Sequence, residues 1–110
     1  MNVLEYKDDN GKTPSDYLCD LIDNDVNVIR LAAYVHRTCE SKSLLHGRCL
    51  DAIHDPYIQI WVHSQAGYHL MYSFFRDRDE LCFLYFFNSN NPEEELPEGI
   101  RRVKKLYRIF

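Results

Sequence analysis

Tyr57-Ile58-Gln59-Ile60-Trp61-Val62, the polar break His63-Ser64-Gln65-Ala66-Gly67, Tyr68-His69-Leu70-Met71-Tyr72-Ser73-Phe74-Phe75, the charged Arg76-Asp77-Arg78-Asp79-Glu80 and Leu81-Cys82-Phe83-Leu84-Tyr85-Phe86-Phe87 form the stretch whose reading decides the fold. Its apolar runs are too short for membrane helices and too aromatic for surface helices, and turn or charge signals bound each of them. The pattern predicts a three-stranded antiparallel meander. Because strand side chains alternate between faces, Ile58, Ile60 and Val62 share one face, opposite Tyr57, Gln59, Trp61 and His63. In the second run His69, Met71 and Ser73 oppose Tyr68, Leu70, Tyr72 and Phe74. One face reads as aliphatic and asks for a helical cover; the other mixes aromatics with hydrogen-bonding groups and reads as the place for a site.

Upstream, Val3-Leu4-Glu5-Tyr6 reads as a short edge strand ending at the turn Asp8-Asp9-Asn10-Gly11, where Asn-Gly supplies positive-φ residues. Thr13-Pro14-Ser15-Asp16 has the chemistry of a helix start: a capping hydroxyl, a proline for the first turn and a carboxylate for the dipole. Tyr17, Leu18, Leu21 and Ile22 give that helix an apolar stripe. A second helix is expected from about Asp25 to Cys39, with Val28, Ile29, Ala32, Val35, His36 and Cys39 as its core-facing side. Both helices are assigned to the aliphatic face of the sheet. Residues 40–56 are the least patterned, with Leu44-Leu45-His46-Gly47 as one helical turn and Cys49 to Ile53 as a connector. Downstream, Asn88-Ser89-Asn90-Asn91-Pro92 is a turn-rich loop, Glu93-Glu94-Glu95 a solvated charge run, and Pro97-Glu98 opens a last helix through Tyr107. The expected fold is α+β: an antiparallel sheet of about four strands, two N-terminal helices on one face and a C-terminal helix.

With 110 residues the chain has the size of one domain able to bury a single core. No charged-then-apolar leader opens it and no apolar run has membrane length, so the expectation is a soluble, cytoplasmic protein with no membrane partner. Cys19, Cys39, Cys49 and Cys82 stand singly and read as buried, reduced thiols. The spacing of Cys39, His46, Cys49 and His54 matches no tetrahedral zinc pattern, so no metal and no cofactor are expected. The formal net charge of −4 is unevenly spread. Residues 1–25 carry Glu5, Asp8, Asp9, Asp16, Asp20, Asp23 and Asp25 against Lys7 and Lys12, whereas Arg101, Arg102, Lys104, Lys105 and Arg108 crowd the other end.

Leu4-Glu5-Tyr6-Lys7-Asp8-Asp9-Asn10-Gly11-Lys12-Thr13-Pro14, followed by Tyr17-Leu18-Cys19-Asp20-Leu21, resembles the opening of the RelE/ParE superfamily of type II toxin–antitoxin toxins, in its HigB-like and phage-derived branch. The meander ending Leu84-Tyr85-Phe86-Phe87, then Pro97 and the basic Arg101 to Arg108, is similar to that family's C-terminal half. The resemblance implies a ribosome-associated mRNA endoribonuclease, held silent by a cognate antitoxin. Metal-independent RNA cleavage needs a base, an acid and cations for the extra phosphate charge. By position, the resemblance nominates His69, where the family carries an arginine; His63 is a second candidate for proton transfer, and Tyr68 or Tyr85 for the acid. Arg76, Arg78, Arg101, Arg102, Lys104 and Lys105 are the RNA-binding candidates. The family's lysine-rich run before the proline is replaced here by Asn88 to Glu95. A second reading keeps the toxin scaffold without its chemistry, as a phage or mobile-element protein that inhibits a basic host protein through acidic surfaces.

Overall fold

The computed structural model describes residues 1–41 and 47–109. In chain order the elements are β1 (Asn2–Glu5), α1 (Pro14–Leu21), α2 (Val26–Ser41), β2 (Arg48–His54), β3 (Tyr57–Gln65), β4 (Tyr68–Phe75), β5 (Glu80–Asn88) and α3 (Leu96–Tyr107), with short 3-10 turns at Arg76–Arg78 and Pro92–Glu95. The strands form one mixed sheet in the order β1-β5-β4-β3-β2.

This α+β sheet corrects the expected one in two ways. It has five strands rather than about four, and it is not all antiparallel, because β1 runs parallel to β5, pairing Asn2 with Glu80 and Glu5 with Phe83. A four-residue edge strand has too little alternation to reveal the sense of its pairing, which a partner distant in sequence decides. The segment read as a connector is the fifth strand: β2 pairs antiparallel with β3 from Arg48↔Val62 to His54↔Tyr57. As an exposed edge it sends only Leu50 and Ile53 toward the core, so it lacks the buried alternation by which β3 is recognised. The proposed turn at Leu44-Leu45-His46 lies outside the described residues.

The assignment of helices to faces is also reversed. The aliphatic residues Ile58 and Ile60 pack with Met71, Cys82 and Leu84 beneath Val103 of α3. The aromatic face, with Tyr72, Phe83 and Phe86, lies under Leu18 of α1 and Val28, Leu31 and Tyr34 of α2. Period-two alternation sorts side chains into faces but does not say which helix covers which when both are apolar.

Local chemistry explains the ends of the elements. Thr13 and Asp16 form a reciprocal capping box at α1, each side chain accepting from the other's backbone N–H at 3.2 and 2.9 Å. The β3–β4 hairpin turns through Ala66 and Gly67, both at positive φ (48° and 87°), the two-residue geometry that matches strand twist. A register shift between Met71 and Tyr72 leaves Leu84 as the extra residue of β5, so Tyr85 and Phe87 point to the α3 side together with Cys82 and Leu84. At Gly99 of α3 an added Cβ would stand 2.2 Å from Sδ of Met71, so glycine is what lets this helix approach the sheet.

Candidate functional site

The nominated acid–base residues are divided between the two faces of the sheet. His63 points to the α2 side, where its ring stacks on Tyr34 with centroids 3.7 Å apart and planes within 2°. His69 points to the α3 side, 5% exposed, its ring tilted against Phe87 at 5.2 Å. Nε2 of His69 lies 2.8 Å from the Ser89 carbonyl oxygen and Nδ1 lies 2.7 Å from the Ser64 hydroxyl. A carbonyl can only accept, so Nε2 carries a proton and donates, and in the neutral imidazole Ser64 donates to Nδ1. Both nitrogens are thereby used in tying the ends of β3, β4 and β5 together. Tyr85 shares the face of His69 with Phe87 beside it, 4.7 Å away between ring centroids, and its phenol pKa is raised chiefly by burial. The structure brings His69 and Tyr85 onto one face and keeps His63 apart from them.

The cations meet different fates. Arg76 and Arg78 lie past the far end of β4 from His69, about 20 Å away at the usual strand rise. The Arg78 guanidinium sits over the rings of Phe75 and Tyr107 at 4.9 and 5.5 Å. Arg101 forms a bidentate pair with Glu98 at 2.6 and 2.7 Å. Arg102 is a clamp: it donates to Glu98 at 3.0 Å and to the Leu84 carbonyl at 2.8 Å, and its guanidinium covers Tyr6 and Tyr85 at 4.9 and 4.3 Å. Lys105 reaches Asp9 at 3.4 Å, whereas Lys104 is exposed. Sequence spacing shows the basic run but not the Glu98 carboxylate and aromatic rings that occupy it.

The acidic end keeps its charge. Asp8 accepts from the Asn10 and Lys12 amides and from the Tyr17 hydroxyl, and its pKa is lowered first by that hydroxyl. Asp16 is lowered by the Thr13 amide and Asp25 by the Asn27 amide, with the Tyr68 hydroxyl also contributing at Asp25. These carboxylates cap and turn the backbone while remaining ionised at the surface.

Between α1 and α2 lies an open groove of about 280 Å³, walled by Leu18, Cys19 and Ile22 on one side and Ala32, Val35 and Cys39 on the other. It corrects two expectations. The side of α2 read as core-facing is split: Val28 is buried, with Leu31, Tyr34 and Thr38, whereas Ile29, His36 and Cys39 are exposed. Among the cysteines only Cys82 is buried; Cys19, Cys39 and Cys49 are exposed free thiols. The groove's sequence signal is the second spacing on α2, Ala32-Val35-His36-Cys39, beside the buried one. Among the described residues no three His, Cys, Asp or Glu side chains gather to hold a metal, and no helix is long and apolar enough to cross a membrane. His46 lies outside the described residues.

Comparison with protein-family models, with curated proteins and with solved structures finds no match to this chain.

Proposed function

We propose that this chain is a binding protein: an α+β scaffold without an assembled nuclease centre, which engages a basic partner protein through its acidic N-terminal third. The observation that carries this reading is the disposition of charge. Three cations of the C-terminal helix are drawn into ion pairs within the fold, Arg101 and Arg102 on Glu98 and Lys105 on Asp9. Asp16 and Asp25, by contrast, accept from neutral backbone amides and keep their negative charge. Ionised carboxylates steer and select a basic partner, and salt weakens that attraction. The separated imidazoles favour this reading over the endoribonuclease, since proton transfer in RNA cleavage needs base and acid within reach of one phosphate.

The test has two arms. Purified protein added to a translating extract is expected to leave mRNA intact. Affinity capture is expected to recover a basic host protein in a salt-sensitive manner, and the triple variant Asp20→Asn, Asp23→Asn, Asp25→Asn should lose it, the asparagine at position 25 keeping the capping chemistry. Cleaved mRNA, or recovery of ribosomes or a cognate antitoxin alone, overturns the reading.

A further inference from the structure

We infer that the α1–α2 groove is the docking site for a basic amphipathic helix of a partner protein, which inserts its apolar side chains between the two helices. This rests on the binding reading above and gives it a place and a mode. The first argument is the double patterning of α2. A surface helix of a globular protein carries one apolar stripe, and that stripe faces the core. In α2 the stripe Val28, Leu31, Tyr34 is buried against the sheet. A second set, Ala32, Val35 and Cys39, lines the groove instead, and Ile29 is exposed one turn before Ala32. Around the α1–α2 turn the uncovered surface continues onto Leu21 at 37%, Val26 at 58% and Ile29 at 49% exposure. Exposed aliphatic side chains clustered beside an apolar groove are what a partner helix covers.

The shape and lining select a helix rather than a small molecule. At about 280 Å³ the groove falls at the lower edge of small-molecule sites, which usually span roughly 300–1,000 Å³ and present several convergent polar groups. Its walls are apolar, with Ser15 and His36 as the polar groups among those that line it, and the His36 Nε2 is already 3.1 Å from a Glu40 carboxylate oxygen. A trough between two helices receives apolar anchors spaced at three and four residues along a third.

Charge fixes the partner's chemistry. From α1 and the turn after it the groove is lined by Ser15, Leu18, Cys19 and Ile22; the next ridge of the helix, one step around its circumference, carries Asp16 and Asp20, and Asp23 follows in the turn. Asp25 follows at the start of α2. From residue 14 to residue 41 the carboxylates Asp16, Asp20, Asp23, Asp25 and Glu40 face only two guanidinium groups, Arg30 and Arg37. Lys12, hydrogen-bonded to Asp20 at 2.9 Å, offsets one of them. A helix with lysine or arginine flanking its apolar anchors is attracted to this rim, and an acidic one is repelled.

The thiols give a direct readout. Cys19 and Cys39 line the groove, while Cys49 is exposed on β2 and does not. The probes are a fluorescent synthetic helical peptide with one leucine face and one lysine face, and its counterpart with glutamate for lysine. Anisotropy measures binding wherever it occurs, and mass-resolved alkylation by N-ethylmaleimide locates it. The lysine peptide, at about ten times its Kd, should slow alkylation of Cys19 and Cys39 about tenfold and leave Cys49 unchanged. Ala32→Lys, on the groove wall, should weaken binding of the lysine peptide by filling the groove with a like charge, and Asp20→Asn with Asp23→Asn should weaken it in a salt-dependent way. Binding without protection of Cys19 and Cys39 overturns the groove assignment and leaves the acidic-surface reading standing. Equal protection by the glutamate peptide overturns the basic partner. Absence of lysine-peptide binding at low salt overturns both.

Discussion

The two faces of the sheet are built from the same classes of residue, yet one is closed and the other is left with an opening. Under α3, Gly99 admits the Met71 side chain, Val103 is fully buried, and Arg102 seals the margin by stacking on Tyr6 and Tyr85. A single helix with one apolar side covers that face. On the other face two helices share the work, and α2 has more apolar surface than the sheet takes up, so a groove remains between α1 and α2. The difference teaches that a helix's apolar content does not fix its burial: the stripe that meets the larger aromatic surface goes inward, and the neighbouring one stays available.

The largest effect should come from breaking the anchor of the open face. Tyr34 is buried, stacks on His63 and shares a hydrogen bond with Tyr72 at 3.0 Å. Tyr34→Ala is expected to cost about 3–5 kcal/mol in denaturant unfolding, from the lost ring together with the cavity it leaves. A cost below about 1 kcal/mol would mean that α2 is not held there. Next comes the close contact of the sealed face. Gly99→Val should lose about 2–3 kcal/mol by overpacking against Met71. Met71→Ala in the same chain should recover part of that loss, a coupling read by a double-mutant cycle; strict additivity would show that α3 does not rest on Met71.

A smaller change of opposite sign is expected within the same face. Ser73 is fully buried and its hydroxyl has no hydrogen-bond partner among the described residues. Ser73→Ala should therefore stabilise by about 1 kcal/mol, measured as a rise in the denaturation midpoint at unchanged slope. The smallest effect is electrostatic. Arg101, then Arg102, hold the Glu98 carboxyl down at about 2 against an ordinary 4.5. A depressed folded-state pKa gives stability that is fully present above the unfolded value of about 4.5 and is lost as pH falls toward 2. Glu98→Gln should flatten the pH dependence of stability in that window and lower stability at neutral pH, where the contribution is fully present, by less than about 1 kcal/mol because the pairs are partly exposed.

Most of the elements were legible because their signals are local. The capping residues of α1, the alternation of β3 and the charged break before β5 each depend on neighbours within a few positions. β2 was not legible, since an exposed edge strand lacks the buried alternation that marks a strand. The candidate site was legible only as residue types. His63 and His69 look like partners in the sequence, but an even separation along one strand does not survive a hairpin, and the turn at Ala66 and Gly67 puts Gln65 opposite Tyr68 and His63 opposite Leu70. Likewise Arg101 and Arg102 read as a basic surface until Glu98, one helical turn earlier, is seen to take both.

By itself the sequence determined the α+β class, the cap of α1, the hairpin turn and the opposition of charge between the two ends, all of which follow from short-range sterics and composition. Only the tertiary structure decided that β1 joins β5 in parallel, which helices cover which face, which stripe of α2 is buried, and that the imidazoles part company. Those outcomes depend on contacts between residues far apart in the chain, where several arrangements satisfy the same local rules and packing selects one.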